Sequence, residues 1–392
     1  MLQWLEEVAD HCTICHKCLK PCPVDIDSGE VSILEREILA ARGLKNSPLI
    51  TKMTLNYLAN RSPFYNKVFR NAVLRMGGAA QRAGTKLTAP LQASIEAQNV
   101  IPPLRLLRSP VPPVPEKTLR DVLPACENDQ VLVFEPTGKE ATSTVFYFPG
   151  CGSERLHSTI SMASIHILLE TGTRVVLPPP FLCCGFPLNV NAKSEEYASI
   201  VLRNTVMFSQ IREMFSYLDF EACIISCGTC MEGLENMDAP KLFGNRIVDV
   251  SRYAYEKGMR VDGGATESLY HAPCHDSLKG KACDLLRDVG GFGKVTDVPH
   301  CCSEAGSLAL SRPDITDSML HRKREALKES MHGAETATIL TNCPSCVQGL
   351  GRNREMGVEP RHIAVALAEK HSGPDWMERF LAHAAKASAV MF

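Results

Sequence analysis

The chain has 392 residues, with 42 Lys+Arg against 44 Asp+Glu and a formal net charge of −2, a balance that argues against a protein devoted to nucleic acid. Its 17 cysteines are too many for core filling and too few for a disulfide scaffold, in which cysteine exceeds about 8–10%. A chain this long folds without covalent staples, so the cysteines point to metal.

The first twelve residues, MLQWLEEVADHC, show no apolar run behind a basic start. No stretch approaches the length of about 18 apolar residues that spans a membrane. The expected compartment is cytoplasmic and reducing, where clustered thiols serve metal or redox chemistry. Cys12, Cys15, Cys18 and Cys22, followed by Pro23, read C-x2-C-x2-C-x3-C-P. This spacing lets a tight loop aim thiolates at a [4Fe–4S] cluster, and the fourth cysteine of such a run often serves a second cluster. A zinc ribbon is the alternative, since C-x2-C pairs also hold zinc. With one such run present, Cys22 either completes a single cluster or shares one with a partner chain, and Cys126 is the one unassigned cysteine before the repeats described below. A chain that opens on this motif looks like the C-terminal piece of a larger assembly. A helix is predicted next over 28–43, with Ser28 as N-cap and Gly43 as its stop.

Residues 42–108 contain no cysteine and carry 11 basic residues against one acidic, Glu96. LITKMTLNYLA and FYNKVFRNAVLRMG read as helices with apolar and basic faces. They form either a solvated face wrapped on the chain's own domains or a docking surface for an acidic partner or anionic lipid. Six prolines between Pro102 and Pro115 then indicate an extended linker.

From residue 143 short apolar runs alternate with helix-length segments, the pattern of βαβ units and a parallel sheet. TVFYFPGC, TRVVLPPPFLCC and EACIISCGTC each place a strand before cysteine, and SLYHAPC, KVTDVPHCC and ATILTNCPSC repeat the order. The offsets are 123 residues (Cys151 to Cys274), 118 (Cys183 to Cys301) and 116 (Cys227 to Cys343, Cys230 to Cys346), which indicates an internal duplication. The first set is Cys151, Cys183, Cys184, Cys227 and Cys230, and the second is Cys274, Cys301, Cys302, Cys343 and Cys346. All follow predicted strand ends, which in a parallel sheet lie on one edge, so the thiols of a set should meet. Adjacent cysteines suit two metals or one distorted cluster better than one tetrahedral zinc.

This arrangement resembles the CCG cysteine-rich domain of heterodisulfide reductase and of the iron–sulfur subunits of glycolate, lactate and anaerobic glycerol-3-phosphate dehydrogenases. It is also similar to the C-terminal iron–sulfur portions of FAD-linked D-lactate-type dehydrogenases, through Cys183-Cys184-Gly185-Phe186-Pro187 and Cys301-Cys302-Ser303-Glu304-Ala305-Gly306. The resemblance covers about 250 residues, and the ferredoxin motif precedes them in the order those proteins use. It implies a CCG-bound [4Fe–4S] cluster, or zinc, in one or both repeats. Ser303 stands where the motif has glycine, and serine carries a cost if that position needs a positive φ.

The expected fold is α/β: a small α-helical ferredoxin-like [4Fe–4S] domain (1–41), a basic helical and Pro-rich connecting region (42–142), and two duplicated CCG domains with short parallel sheets (143–263 and 264–392). Gly150–Gly152 and Gly290–Gly293 lack the spacing of a dinucleotide fingerprint, so FAD is expected only on a partner. The leading expectation is an electron-transfer module that takes electrons from a flavoprotein dehydrogenase of 2-hydroxy acids and passes them to a quinone or other carrier. The setting would be cytoplasmic or peripheral on the cytoplasmic membrane face, with residues 42–108 as the contact surface. A thiol/disulfide reductase with catalysis at a CCG-bound cluster, and a zinc-holding structural module, are the alternatives. Cys223 and Cys283 fall outside the sets, Cys223 as core packing, while His271, His275 and His300 flank presumed ligands as donors to sulfur or by chance.

Overall fold

The computed structural model describes residues 9, 11–45, 47–94, 107, 109–136, 138, 140–262, 266–304 and 308–392. Glu96, Pro102, Ala305 and Gly306, named above, lie outside these residues, as do Pro103, Arg105 and Arg108 of the Pro-rich and basic stretches.

The chain builds two sheets. The first has strands β1 (Gln130–Phe134), β2 (Ser143–Phe148), β3 (Thr173–Leu177), β4 (Phe220–Ile225) and β5 (Ile247–Asp249), joined by the last strand of the chain, β10 (Ser388–Met391). Its order is β10-β1-β3-β2-β4-β5. The second contains β6 (Thr266–Tyr270), β7 (Phe292–Asp297), β8 (Ala337–Thr341) and β9 (Val358–His362) in the order β7-β6-β8-β9. The segment β3-β2-β4-β5 is wholly parallel and matches β7-β6-β8-β9 strand for strand. The duplication read from cysteine offsets is thus also a duplication of topology.

All six strands anticipated before cysteines form. The three of the first repeat are short β-branched or aromatic runs buried on both faces, as a parallel sheet covered by helices requires. In the second repeat β6 and β8 are buried in their last three residues, and the edge strand β7 buries only Phe292. Two expectations need correction. The first sheet is mixed, since β1 runs antiparallel to both β3 and β10. The strand β1 lies inside 42–142, and β10 leaves the second repeat to finish the first repeat's sheet.

Crossover helices place the core. Helix α1 (Ser28–Ala41) and helix α2 (Leu49–Ala59) precede the sheets; α3 (Ser158–Glu170) follows β2 and is buried on nearly all sides. Its position explains this: α3 packs against α10 (Ile363–Ser372) of the second repeat, inside one apolar cluster shared by both. The serines on α3 are satisfied internally, Ser161 donating to Ser153 O at 2.8 Å and Ser164 to Ile160 O at 2.7 Å. Between them in chain order come α4 (Ser194–Met214), α5 (Gly228–Glu235), α6 (Val250–Glu256), α7 (Ala282–Val289), α8 (Pro313–Met331) and α9 (Pro344–Leu350).

The N-cap of α1 is Asp27, not Ser28: the Asp27 carboxylate accepts from Gly29 N at 2.7 Å, and Ser28 is the first helical residue. Gly43 lies just past the end with φ +66, as expected of a stop. Helix α1 is inverted in amphipathic sense. Its buried face carries Gly29, Ser32, Arg36 and Leu39, with Arg36 donating to Ala9 O, Cys12 O and Val190 O. Val31, Leu34 and Ile38 face outward. Farther on, Pro63–Phe69, the π-helical Arg70–Gly77 and Gly78–Ser94 run without a break. Part of the basic stretch is spent within the fold: Arg61 donates to Asn128, Arg70 to the carbonyls of Arg155 and Pro115, and Arg82 to Val111 O. No helix among the described residues is long and apolar enough to cross a membrane.

Candidate metal centre

In each repeat the chain enters the sheet at β2 or β6, turns to one neighbour and then crosses back to the other, so the switch in winding lies between the first and third strands. The loops after three adjacent strands therefore converge on one edge, where such sheets place their sites. Those loops carry the ten cysteines.

The local turns explain the residue types. At the adjacent pair, Gly185 has φ +84, and a Cβ there would lie 2.7 Å from the Tyr197 ring. In the second repeat Ser303 adopts the same left-handed conformation, with φ +70, a conformation costing roughly 1–2 kcal/mol for a residue with a Cβ. At the C-x2-C pairs, Cys227 and Cys343 sit in extended conformation at the N-caps of α5 and α9, and Cys230 and Cys346 occupy the first turns. A helix N-terminus favours thiolate. Glycines three residues later let the pair and the turn approach. A Cβ on Gly233 would meet the Cys184 Cβ at 2.7 Å, and one on Gly349 would meet Cys302 O at 2.4 Å. These two glycines, 116 residues apart like the cysteines before them, were legible in the sequence and missed.

The ten thiols form one continuous series. Cys151 lies 3.8 Å from Cys183, and contacts continue through Cys184 and Cys230 to Cys227. Cys227 meets Cys343 of the other repeat, and the series continues through Cys346, Cys302 and Cys301 to Cys274. Cys274 in turn is hydrogen-bonded to Cys15 of the N-terminal motif. Within the series, three members have their thiol pKa pulled down by their neighbours. Hydrogen bonds from Cys151 and Cys184 pull the Cys183 thiol down, those from Cys230 and Cys343 pull down Cys227, and those from Cys274 and Cys302 pull down Cys301. The Cys274 contact lowers Cys15 to about 5. Backbone N–H groups add support, Gly185 N to Cys183 Sγ at 3.4 Å and Ser303 N to Cys301 Sγ at 3.5 Å.

The repeats meet about a pseudo-two-fold axis. A Cβ on Gly152, after Cys151, would press on Pro344, after Cys343; a Cβ on Gly228, after Cys227, would strike the backbone of His275, after Cys274. Deeper in, Tyr147 Oη lies 3.0 Å from Ser226 Oγ, and its counterpart Tyr270 donates to Asn342 Oδ1 at 2.9 Å. The helix caps also cross over. Asp249 caps α6 and accepts from Ser277 of the second repeat at 2.6 Å, while His362 caps α10 and bonds Ser226 O of the first at 3.1 Å.

Each set has a buried cation. Arg155 is fully buried, bonded to the carbonyls of Tyr57 and Phe181 and to Asn66 Oδ1, and its charge acts on Cys151 and Cys183. Lys323 donates to Val298 O and Pro299 O at 2.8 and 2.9 Å, and burial lowers its pKa to about 8. Lys323 Nζ also lies 3.1 Å from His271 Nδ1, and a ring nitrogen of His271 is within 4.8 Å of the Cys302 and Cys346 sulfurs. His271 Nε2 is buried and has no hydrogen-bond partner. Sequence reading singled out His271 but not Arg155 or Lys323, which no cysteine spacing marks.

The N-terminal motif is placed differently. Its loop uses left-handed conformations at Ile14 and His16, with φ +52 and +53. Cys15 enters the sulfur series. The others bond within their own loop, Cys12 accepting from Ile14 N, Cys22 from Ile26 N, and exposed Cys18 lying 3.9 Å from Asp27. Cys126 donates to Gln130 O at 3.2 Å beside β1. Cys223 is fully buried in β4, where burial raises its pKa, and Cys283 packs against the core shared by the repeats.

The donor set fits an iron–sulfur group: converging thiols, several with their pKa pulled down, with amide donors to sulfur and no competing carboxylate in the series. A family model described as the cysteine-rich domain CCG matches residues 145–235 and again 268–351. The chain is 24% identical over 227 residues to a subunit of the fumarate reductase (CoM/CoB) of Methanothermobacter marburgensis, covering 54% of this chain and 42% of that one. It is 25% identical over 253 residues to lactate utilization protein A of Exiguobacterium, covering 57% and 97%. To a probable glycolate oxidase iron-sulfur subunit of Bacillus subtilis it is 23% identical over 387 residues, covering 91% and 80%. The chain thus spans less than half the length of the fumarate reductase subunit it matches. The matched segments fall on the two halves of a duplicated fold, so the chain carries the CCG cysteine-rich domain twice.

Proposed function

We propose that this chain is the iron–sulfur electron-transfer module of a flavin-linked dehydrogenase of 2-hydroxy acids. The observation that carries the reading is the unbroken series of thiols from Cys15 to Cys151, which links the N-terminal motif to both repeats. In this reading Cys12, Cys15, Cys18 and Cys22 hold a [4Fe–4S] cluster, and Cys151, Cys183, Cys184, Cys227 and Cys230 hold a CCG-type cluster. Cys274, Cys301, Cys302, Cys343 and Cys346 hold its counterpart. Such clusters supply one-electron carriage between a two-electron flavin and an acceptor. The protein's own part is to bring the sulfurs together, exclude water from them, and place Arg155 and Lys323 against their negative charge.

Two of the relatives are named as lactate or glycolate proteins, which supports a flavoprotein partner for this chain. Fourteen of the twenty exposed large apolar side chains among the described residues lie between Leu19 and Leu87, including the outward stripe of α1, and this surface is the proposed flavoprotein contact. Exposed Lys52, Lys67 and Lys86 border it, and lipid or quinone access belongs to the same region. Anaerobic iron, sulfide and zinc counts with paramagnetic resonance test the reading. Iron with acid-labile sulfide and reduction by a co-purified flavoprotein is the expected result, and zinc without iron would end it.

A second reading, a thiol or disulfide reductase, is favoured by the direct Cys227–Cys343 contact, where the two sets face each other. Disulfide reduction with an artificial donor, lost in Cys227→Ala, would support it.

A further inference from the structure

Outside the cysteine sets, one cluster of metal-ligating side chains draws on three separate parts of the chain. His16 comes from the N-terminal loop, Glu232 from α5 of the first repeat, and His275 from the loop after β6 of the second. One ligand atom from each lies within 4.8 Å of the others. The His16 and His275 rings stand edge to face, 5.3 Å between centroids.

The hydrogen bonds of the two imidazoles fix which nitrogen is free. His16 Nδ1 is bonded to the Asp27 carboxylate, which makes Nδ1 the protonated nitrogen and leaves a lone pair on Nε2. That Nε2 is buried and has no hydrogen-bond partner. His275 Nε2 lies 3.0 Å from the Ile14 carbonyl, to which it donates, and the opposite nitrogen, Nδ1, lies 3.1 Å from Glu232 Oε2. Metal-binding histidines almost always show this arrangement, with the far nitrogen donating to a carboxylate or a backbone carbonyl. Two oriented imidazoles and a carboxylate are a donor set for a borderline divalent ion, and tetrahedral zinc takes three such ligands plus water.

We infer that His16, His275 and Glu232 bind one zinc ion, which pins the N-terminal cysteine loop to both repeats where Cys15 meets Cys274. Zinc takes the place of the proton between His275 Nδ1 and Glu232 Oε2, so binding releases that proton to solvent. The site uses nitrogen and oxygen only, and is separate from the thiols assigned above.

The test uses the full chain purified anaerobically with its iron, equilibrated with zinc and dialysed. One zinc per chain is expected in addition to iron, with a first shell of nitrogen and oxygen at about 2.0–2.1 Å in X-ray absorption. Glu232→Gln, at a half-exposed position, removes the bound zinc while the iron and sulfide counts hold. Asp27→Asn, which only loosens His16, weakens zinc binding about 10–100-fold. Cobalt in place of zinc in the unaltered chain gives a ligand-field spectrum without a thiolate charge-transfer band, so the inference does not depend on a variant folding. No retained zinc, sulfur in the zinc shell, or Glu232→Gln binding as tightly as the unaltered chain would each overturn it. Iron and sulfide, counted on the same samples, judge the electron-transfer reading independently.

Discussion

The two repeats share strand order, cysteine order and capped crossover helices, yet they neutralise their sulfurs from different elements. In the first, the cation is Arg155, in the π-helical turn after Cys151; the corresponding residue of the second, at the 123-residue offset, is Leu278. In the second it is Lys323 on α8; counted from the helix start, its counterpart on α4 is Asn204, which donates to Cys183 O at 2.9 Å. Phe148 likewise stands where the second repeat has His271. What persisted through duplication is one buried positive charge beside each thiolate series, while the residue that supplies it moved. The electrostatic requirement is set by charge and burial, which many positions around one site can meet.

Experiments can break or sharpen this comparison, beginning with the largest effect. Replacing Cys183 and Cys184 together by alanine should abolish metal binding in the first repeat and leave the second repeat's signal in paramagnetic resonance. Loss of every signal would show that the repeats do not load independently. Next, Lys323→Met leaves the carbonyls of Val298 and Pro299 without their donor and should destabilise the protein by about 3–5 kcal/mol. Thermal unfolding under anaerobic conditions measures it, and Leu278→Arg in the second repeat would test whether a cation from the first repeat's position substitutes.

The two crossed caps give a pH test. Burial raises the Asp249 pKa from 3.8 to about 6, and burial lowers the His362 pKa from 6.5 to about 4. The folded state thus holds the Asp249 proton more tightly than the unfolded chain. Its contribution is full below pH 3.8 and is lost as pH rises through about 6. His362 has the opposite sign, contributing above pH 6.5 and losing that contribution as pH falls through about 4. Asp249→Asn keeps one oxygen to accept from Ser251 N and turns an amide N–H towards the Ser277 hydroxyl, which can accept it. It should remove a cost of about 3 kcal/mol at neutral pH, and should flatten the loss of stability from about pH 4 to 6. Melting temperature against pH checks both the size and the sign. The smallest effect is Ser303→Gly, expected to stabilise the second repeat by about 1 kcal/mol, because glycine adopts its φ of +70 without strain.

Much of the fold was legible because its signals are local. A β-branched run ending at cysteine marks a strand and its edge together, and near-constant offsets mark the copy. The strands that escaped reading lack such a signal. Strand β5 is three residues long, β9 carries Pro360 and charged residues at the open edge of its sheet, and β1 pairs with β10 from the far end of the chain. An edge strand tolerates proline and polar residues because one side needs no partner. The Ser303 conformation was anticipated from its glycine counterpart; the buried cations were not, since a lone Arg or Lys within a helix reads as surface.

By itself the sequence determined the two sets of five thiols, the strand edges on which they sit and the domain family, since each is a matter of spacing along one segment. Only the tertiary structure decided that Cys227 meets Cys343, that Cys15 joins Cys274, and that His16, Glu232 and His275 come together. Those contacts follow from burying one apolar face of each repeat, α3 against α10, about a pseudo-two-fold axis. No local pattern encodes which residues such packing brings opposite each other.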